Sequence, residues 1–291
     1  MTSAVKDYCE KVYLETYLAE FERLKQDFST KRQTSKRSDA QFTAIEHAAQ
    51  KEAIKKATIE GLKKFNDVEA ALVWRAIYET HVHRKSGIND AETIAKVISA
   101  DQSWKVTSGH AFEEIILSLG SVALNGTNLE MVMPLELAAR IKAEQLANEP
   151  RDISWLNEQI RGKVFDLYII VHNNDRQYCF GCIQSKTSIR DRVTRDREPS
   201  IKAMQSFFWS IAIALDGDFL KYPEFSSMVN GGTAKHKGNG WHGMYVFSEL
   251  YTQGRIYPTN SEFKNFKHHA IKAADYWLTQ RQWLNADWIV N

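Results

Sequence analysis

Two charged residues interrupt neighbouring stretches that otherwise have the composition of apolar β-strands. Asp166 lies within KVFDLYIIVH at 163–172, and Lys186 ends RQYCFGCIQSK at 176–186. Both stretches are rich in β-branched and aromatic residues, and the HNNDR segment that joins them is typical of a turn, so they predict a β-hairpin. A charge in an apolar strand is costly to desolvate unless it is paired. The two residues therefore indicate either a buried ion pair or a reactive site in which the carboxylate and the ammonium group face one another.

The segment after Lys186 alternates basic and acidic side chains. It contains Arg190, Asp191 and Arg192, and the stretch 186–202 holds six Lys or Arg against three acidic residues. Arginine can donate two hydrogen bonds to O6 and N7 of guanine, and aspartate can accept one from N4 of cytosine. The triplet therefore suits the readout of G·C base pairs, although a solvated helix surface can carry the same alternation.

The order of these residues resembles the PD-(D/E)XK nuclease superfamily. Asp166 precedes the hairpin, and Gln184-Ser185-Lys186 ends it, so that Gln184 stands where the motif normally has a second acidic residue. Phe165 replaces the first residue of the motif. The sequence thus lacks the second acidic residue of the motif and has an R-(D/E)-R triplet shortly after the lysine. In both features it resembles the CCGG family of type II restriction endonucleases, to which BsaWI and NgoMIV belong.

The resemblance implies further site residues. In that family a glutamate from the following helix takes the place of the missing acidic residue, and Glu198, twelve residues after Lys186, is the matching candidate. An upstream helical glutamate is also implied, and Glu113 is its best match. The implied ligands of Mg²⁺ are Asp166, Glu198 and the backbone carbonyl of Ser185, since Mg²⁺ prefers oxygen ligands.

The activity implied by the resemblance is Mg²⁺-dependent hydrolysis of double-stranded DNA by an activated water. Lys186 would orient or deprotonate that water, and Glu113 would position the site or a second ion. The expected target is a palindrome with a CCGG or CC-N-GG core, cut by a homodimer or higher oligomer that has a companion DNA methyltransferase in a bacterial cytoplasm. Two alternatives remain open: a structure-selective repair or recombination nuclease of the same superfamily, and a non-catalytic DNA-binding protein on the same fold.

The elements around these residues predict an α/β (α+β) fold with three regions. We expect a mainly helical N-terminal region over 1–105, an αβββαβ PD-(D/E)XK core over 106–252 and a C-terminal helical region over 253–291. Within the core, PSIKAMQSFFWSIAIA at 199–214 is interpreted as one helix, because its proline suits a first helical turn. A Gly-rich loop at 228–242 then precedes a strand at 243–251.

Three other motifs carry weaker signals. Cys179 and Cys182 form a CxxC, but residues three apart on a strand point to opposite faces, so we expect neither a zinc nor a redox role. The Gly-rich loop lacks the Gly-Lys-Ser/Thr of a nucleotide-binding P-loop. His81 and His83 have no third metal ligand at a suitable spacing.

The composition is that of a globular protein, which excludes disordered and disulfide-scaffold classes. The 291 residues include 38 basic and 36 acidic side chains and three cysteines. No apolar run is long enough to span a membrane, and the N-terminus lacks the apolar stretch of a signal peptide, so we expect an intracellular protein. Although the net charge of the whole chain is only +2, basic residues are in local excess at 31–65, where nine Lys or Arg stand against four acidic residues. That surplus indicates either a solvated helix face or a phosphate-facing surface.

Overall fold

The computed structural model divides the chain into two compact units, Met1–Ile115 and Ile116–Asn291. Its description covers residues 3–30, 39–66, 68–86, 91–187, 193–215, 222–248 and 253–290. Within these ranges no helix combines the length and the apolar character that crossing a membrane requires.

The first unit is helical, as the sequence predicts for this third of the chain. It contains α1 (Ser3–Thr30), α2 (Asp39–Lys64), α3 (Ala70–Ser86) and most of α4 (Ala91–Leu124). Small residues let the helices approach closely: a Cβ placed on Gly61 of α2 would lie 2.7 Å from Val73 of α3. The apolar stripes of these helices bury against one another, and this burial stabilises the unit.

The second unit is built on a mixed six-stranded sheet with strand order β1-β2-β3-β4-β5-β6. β1, β2 and β3 pair in antiparallel fashion, whereas β3 to β6 are parallel. Three of its helices begin with proline, which is preorganised for a first helical position. The elements are β1 (Leu129–Val132), α5 (Pro134–Lys142), α6 (Pro150–Arg161), β2 (Leu167–Asn173), β3 (Arg176–Lys186), α7 (Val193–Gln205), β4 (Trp209–Ala214), α8 (Pro223–Asn230), β5 (Gly243–Val246), β6 (Ile256–Pro258) and α9 (Lys264–Gln280), followed by a 3-10 turn (Arg281–Trp283).

Helices cover both faces of this sheet. On one face, residues of α5 to α8 bury with the sheet in two apolar clusters that include Leu137, Leu156, Ala203 and Met228. On the other face, α9 packs against the strands, where Phe266 contacts the ring of Trp209 at 6.0 Å between centroids. The predicted α/β class is confirmed, and the central strands are buried on both sides.

The predicted hairpin is confirmed as β2 and β3, but its register contains a bulge. Gly181 pairs with Ile169 while Cys179 pairs with Ile170, so Phe180 is the extra residue on β3. The bulge resets the alternation, and Cys179 and Cys182 lie in the same apolar cluster instead of on opposite faces. Burial raises the pKa of both thiols, so they are inert thiols of the core.

The single helix predicted over 199–214 is wrong. α7 ends at Gln205, the chain turns through Phe207 in a left-handed conformation (φ 62°), and β4 begins at Trp209. β4 lies between β3 and β5 and is buried along its whole length, so its residues form a continuous apolar run. Such a run has no alternation and cannot be distinguished from a buried helix by periodicity.

Candidate active site

Asp166 lies directly before β2 and is held there by the end of the neighbouring strand β3. Its backbone N–H donates to Ile183 O (2.9 Å), and its Oδ2 accepts hydrogen bonds from Ser185 N (2.6 Å) and Ser185 Oγ (3.1 Å). Burial raises the pKa of Asp166, although the charge of Lys186 and the Ser185 donors act in the opposite direction. The carboxylate therefore sits at a position where its negative charge is incompletely compensated.

Lys186 ends β3, and its ammonium group is paired with a carboxylate from the next helix. Its Nζ lies 2.9 Å from Asp196 Oδ2, and the two side chains are 16% and 21% exposed. Asp196 is in the first turn of α7, where the positive end of the helix dipole favours an anion. The expected charge cluster is present, but the direct partner of Lys186 is Asp196. The charge of Lys186 acts on Asp166 only as a longer-range electrostatic interaction.

Glu198 does not join this cluster. Its side chain is 73% exposed, and its Oε1 lies 2.9 Å from Nζ of Lys202, one turn further along the same helix. Residues two apart on a helix do not share a face, so a helix that directs Asp196 toward Lys186 turns Glu198 away.

The cluster has the donor chemistry of a divalent-cation site. Asp166 and Asp196 supply carboxylate oxygens, and Lys186 offsets one of the two negative charges. Asp196 Oδ2 is buried, and apart from its ion contact with Lys186 it accepts no hydrogen bond within the described chain. Hard cations such as Mg²⁺ are bound by one or two carboxylates together with substrate oxygens and water, and these residues fit that pattern.

Comparisons with known proteins identify the family of the chain. A family model for the type 2 restriction endonuclease BsaWI matches residues 146–283. A solved structure of a pre-specific BsaWI–DNA complex contains a protein chain that is 48% identical in sequence to this one. The alignment covers 100% of this chain and 99% of the BsaWI chain, with a TM-score of 0.68. The chain belongs to the BsaWI restriction endonuclease family. The prediction of a type II restriction endonuclease is thereby confirmed.

A more distant likeness supports the fold. The protein chain of a specific AgeI–DNA complex is 15% identical in sequence. The alignment covers 88% of this chain and 91% of the AgeI chain, with a TM-score of 0.54. The predicted restriction-endonuclease fold is confirmed by both structures. No curated protein matches the sequence.

The predicted roles of all the site residues stay predictions, and this includes three groups of residues other than the cluster of Asp166, Lys186 and Asp196. The base-reading triplet of Arg190, Asp191 and Arg192 lies outside the described residues. Glu113 lies on α4 in the first unit, and its Oε2 is 3.5 Å from Nδ1 of His110. Ser185 contacts Asp166 through its backbone N–H and its hydroxyl group, and the role predicted for its carbonyl is not tested by these contacts.

Asp196 is the member of this charge cluster that sequence reasoning missed. Its only sequence signal is its place within the charged segment, ten residues after Lys186. Whether Asp196 or Glu198 faces the strand depends on the phase of α7, which begins at Val193. A helix start cannot be located from sequence to within one residue, and a shift of two residues would exchange the two carboxylates.

Proposed function

We propose that this endonuclease cuts double-stranded DNA at a palindromic site with a CCGG or CC-N-GG core, using Mg²⁺ held by Asp166 and Asp196. The buried cluster formed by these two carboxylates and Lys186 carries the proposal. The solved relative that is 48% identical is a complex with DNA, which supports the substrate class. Asp196 takes the role that the resemblance implied for Glu198, because its carboxylate lies 2.9 Å from Lys186 Nζ.

Each residue of the cluster has a distinct task in hydrolysis. Asp166 is fixed through its Oδ2 by the backbone N–H and the hydroxyl group of Ser185, and it would supply a carboxylate oxygen to the ion. Asp196 extends from α7 to the same place and keeps the Lys186 ammonium group near the two carboxylates. A divalent ion at this place would lower the pKa of a bound water and neutralise charge that develops on the phosphate.

Lys186 is the group that handles the proton and the phosphate charge. Its ammonium group can orient the attacking water and stabilise the pentavalent phosphorane, and as the neutral amine it can accept the proton of that water. Water attacks phosphorus directly, the P–O3′ bond breaks and the 3′ oxygen takes up a proton from solvent, so no covalent intermediate with the protein is formed. Glu113 remains a candidate for positioning the site or a second ion.

Sequence readout is assigned to Arg190, Asp191 and Arg192. The arginines would donate to guanine O6 and N7, and the aspartate would accept from cytosine N4. A palindromic target matches a two-fold symmetric protein, so we propose a homodimer. A host with such an enzyme needs a companion DNA methyltransferase that protects its own sites.

Cleavage of plasmid DNA, followed by sequencing of the ends, tests the function. We expect discrete fragments in the presence of Mg²⁺, none in the presence of a chelator, and ends that share one palindromic sequence. Loss of guanine discrimination in Arg192→Ala would support the readout role. Ends of mixed sequence, or cutting directed to branched DNA, would contradict the proposal.

A matched pair of variants tests the site. Asp196→Asn should lower the cleavage rate by at least about 10²-fold. Loss of an outer-shell metal partner costs up to about this factor, and Asp196 is proposed as a direct ligand. Glu198→Gln, two residues away on the exposed side of α7, should cut at nearly the wild-type rate. Asp166→Ala should abolish cleavage while DNA binding persists. Loss of activity in Glu198→Gln with retention in Asp196→Asn would reverse the assignment.

A further inference from the structure

Gln184 occupies the strand position at which the nuclease motif usually has an acidic residue, and both ends of its side chain are bound. It is 1% exposed. Its Nε2 donates a hydrogen bond to the carbonyl oxygen of Asp196 (3.1 Å), and its Oε1 accepts one from Trp241 Nε1 (2.8 Å). An indole N–H can only donate and a carbonyl can only accept, so the two partners determine which end of the amide faces which element.

These two hydrogen bonds join two consecutive elements and a third segment that is distant in sequence. Gln184 belongs to β3, Asp196 to the first turn of α7, and Trp241 to the segment directly before β5. Lys186 is two residues beyond Gln184 on the same strand. The amide is therefore a link between the strand that carries the lysine and the helix turn that carries its carboxylate partner.

We propose that Gln184 is a positioning residue, which holds the backbone of Asp196 and so places the Asp196 carboxylate beside Lys186. The inference rests on the proposed function, in which Asp196 is the acidic group contributed by α7. Both polar ends of the amide are engaged with protein, so Gln184 acts through Asp196 and does not replace the missing acidic ligand.

A second contact holds the same turn of α7 from the loop side. Arg197 Nε donates to Met228 O (3.0 Å), and its Nη2 donates to Gly238 O. The loop closes tightly here, because a Cβ on Gly240 would collide with Met228 O and lie 3.0 Å from Cγ of Arg197. Arg197 thus joins α7 to α8 and to the loop that follows α8, whereas Gln184 joins the backbone of α7 to β3 beside the Lys186–Asp196 ion pair.

Restoring the usual acidic residue at this position should therefore damage the site. In Gln184→Glu a carboxylate oxygen would face the carbonyl oxygen of Asp196, and two acceptors at this distance repel each other. A third negative charge would also be added beside Asp166 and Asp196. The Trp241 indole would still have an acceptor, so the defect would be confined to the α7 side.

The test measures cleavage of plasmid DNA as a function of Mg²⁺ concentration. We expect Gln184→Glu to raise the half-saturating Mg²⁺ concentration by about 10- to 100-fold, as loss of an outer-shell partner does. Trp241→Phe, which keeps the ring and removes the donor, should shift it in the same direction by less. DNA binding without a divalent ion, measured by fluorescence anisotropy, should be unchanged in both variants.

Gln177→Glu is the matched control. It makes the same substitution at the other end of β3, where Gln177 Oε1 accepts a hydrogen bond from Arg140 Nη1. Its Mg²⁺ dependence should equal that of the wild type.

The inference and the proposed function can fail separately. If Asp196→Asn cuts like the wild type, the proposed function is wrong. If Asp196→Asn is inactive and Gln184→Glu keeps the wild-type Mg²⁺ dependence, Gln184 does not position the site. An altered Mg²⁺ dependence accompanied by loss of metal-free DNA binding would also overturn the inference, because it would indicate general disruption of the fold.

Discussion

Each of the two units contains a half-buried charge cluster, and the clusters have opposite charge balance. In the first unit, Glu46 is held by Lys85 at 2.9 Å and by Arg84 at 3.5 Å. In the second unit, Lys186 lies against Asp196, with Asp166 nearby. The side chains of these three ion pairs are between 15% and 21% exposed.

The two clusters differ in the effect that the surroundings have on their carboxyl groups. Burial alone would raise the pKa of Glu46, but the hydrogen bonds and charges of Lys85 and Arg84 lower it below its usual range. For Asp166, burial prevails and the pKa is raised. The negative charge of Glu46 is fully compensated by its two cations. Two carboxylates with one cation, in contrast, leave a negative charge that a metal ion can neutralise. Charge balance and burial together therefore distinguish the cluster around Asp166 from the cluster around Glu46.

The largest expected effect compares the two lysines. Lys186→Met should lower the cleavage rate by about 10²- to 10⁴-fold, the range for loss of a group that assists proton transfer. Lys85→Met leaves Glu46 with Arg84 and should cut DNA like the wild type. Single-turnover cleavage of plasmid DNA measures both. Equal losses in the two variants would mean that both clusters support activity and that the distinction is false.

A balanced pair in the second unit provides the intermediate case. Asp152 is 2% exposed, and its two oxygens accept hydrogen bonds from Arg281 Nη1 (2.7 Å) and Nη2 (2.6 Å). Arg281→Met should lower the free energy of unfolding by about 3–5 kcal/mol, because it leaves a buried carboxylate without its partner.

Urea denaturation measures this loss. The exposed Arg161, at the end of α6, is the control, and Arg161→Met should change stability by less than about 0.5 kcal/mol. A similar small change for Arg281→Met would show that the buried carboxylate does not depend on its cation.

The sequence predicted the parts of the site that strand alternation determines. Asp166 and Lys186 were identifiable because a charge in an apolar strand is rare and costly, and Asn174 adopts the left-handed turn conformation that the hairpin needs (φ 53°). Asp196 was not identifiable, because its direction depends on the phase of α7. The Gln184–Trp241 contact spans 57 residues and depends on how the parallel strands assemble, which no local pattern reports.

Removing the carboxylate of the first-unit cluster should destabilise the protein. Glu46→Gln leaves Arg84 and Lys85 side by side without their anion, and we expect a loss of about 2 kcal/mol, typical for hydrogen bonds to charged groups. Because the pKa of Glu46 is lowered in the folded state, its contribution is complete above the ordinary glutamate range and is lost as the pH falls through the lowered value. Urea denaturation at pH 7 and at pH 3 measures both points, and a loss of equal size at the two pH values would be inconsistent with this account.

The matching substitution in the second-unit cluster should have the opposite sign. In Asp166→Asn the side-chain oxygen can still accept the Ser185 N–H, while the incompletely compensated negative charge is removed. A carboxyl group whose pKa is raised by folding binds more protons in the folded state, so its ionisation costs stability as the pH rises through the raised value. Without divalent ions, Asp166→Asn should therefore be more stable than the wild type by about 1 kcal/mol at pH 8 and equal to it at acidic pH. Destabilisation at pH 8 would show that the carboxylate is satisfied by the protein alone, and the charge balance of the cluster would then no longer argue for a metal ion.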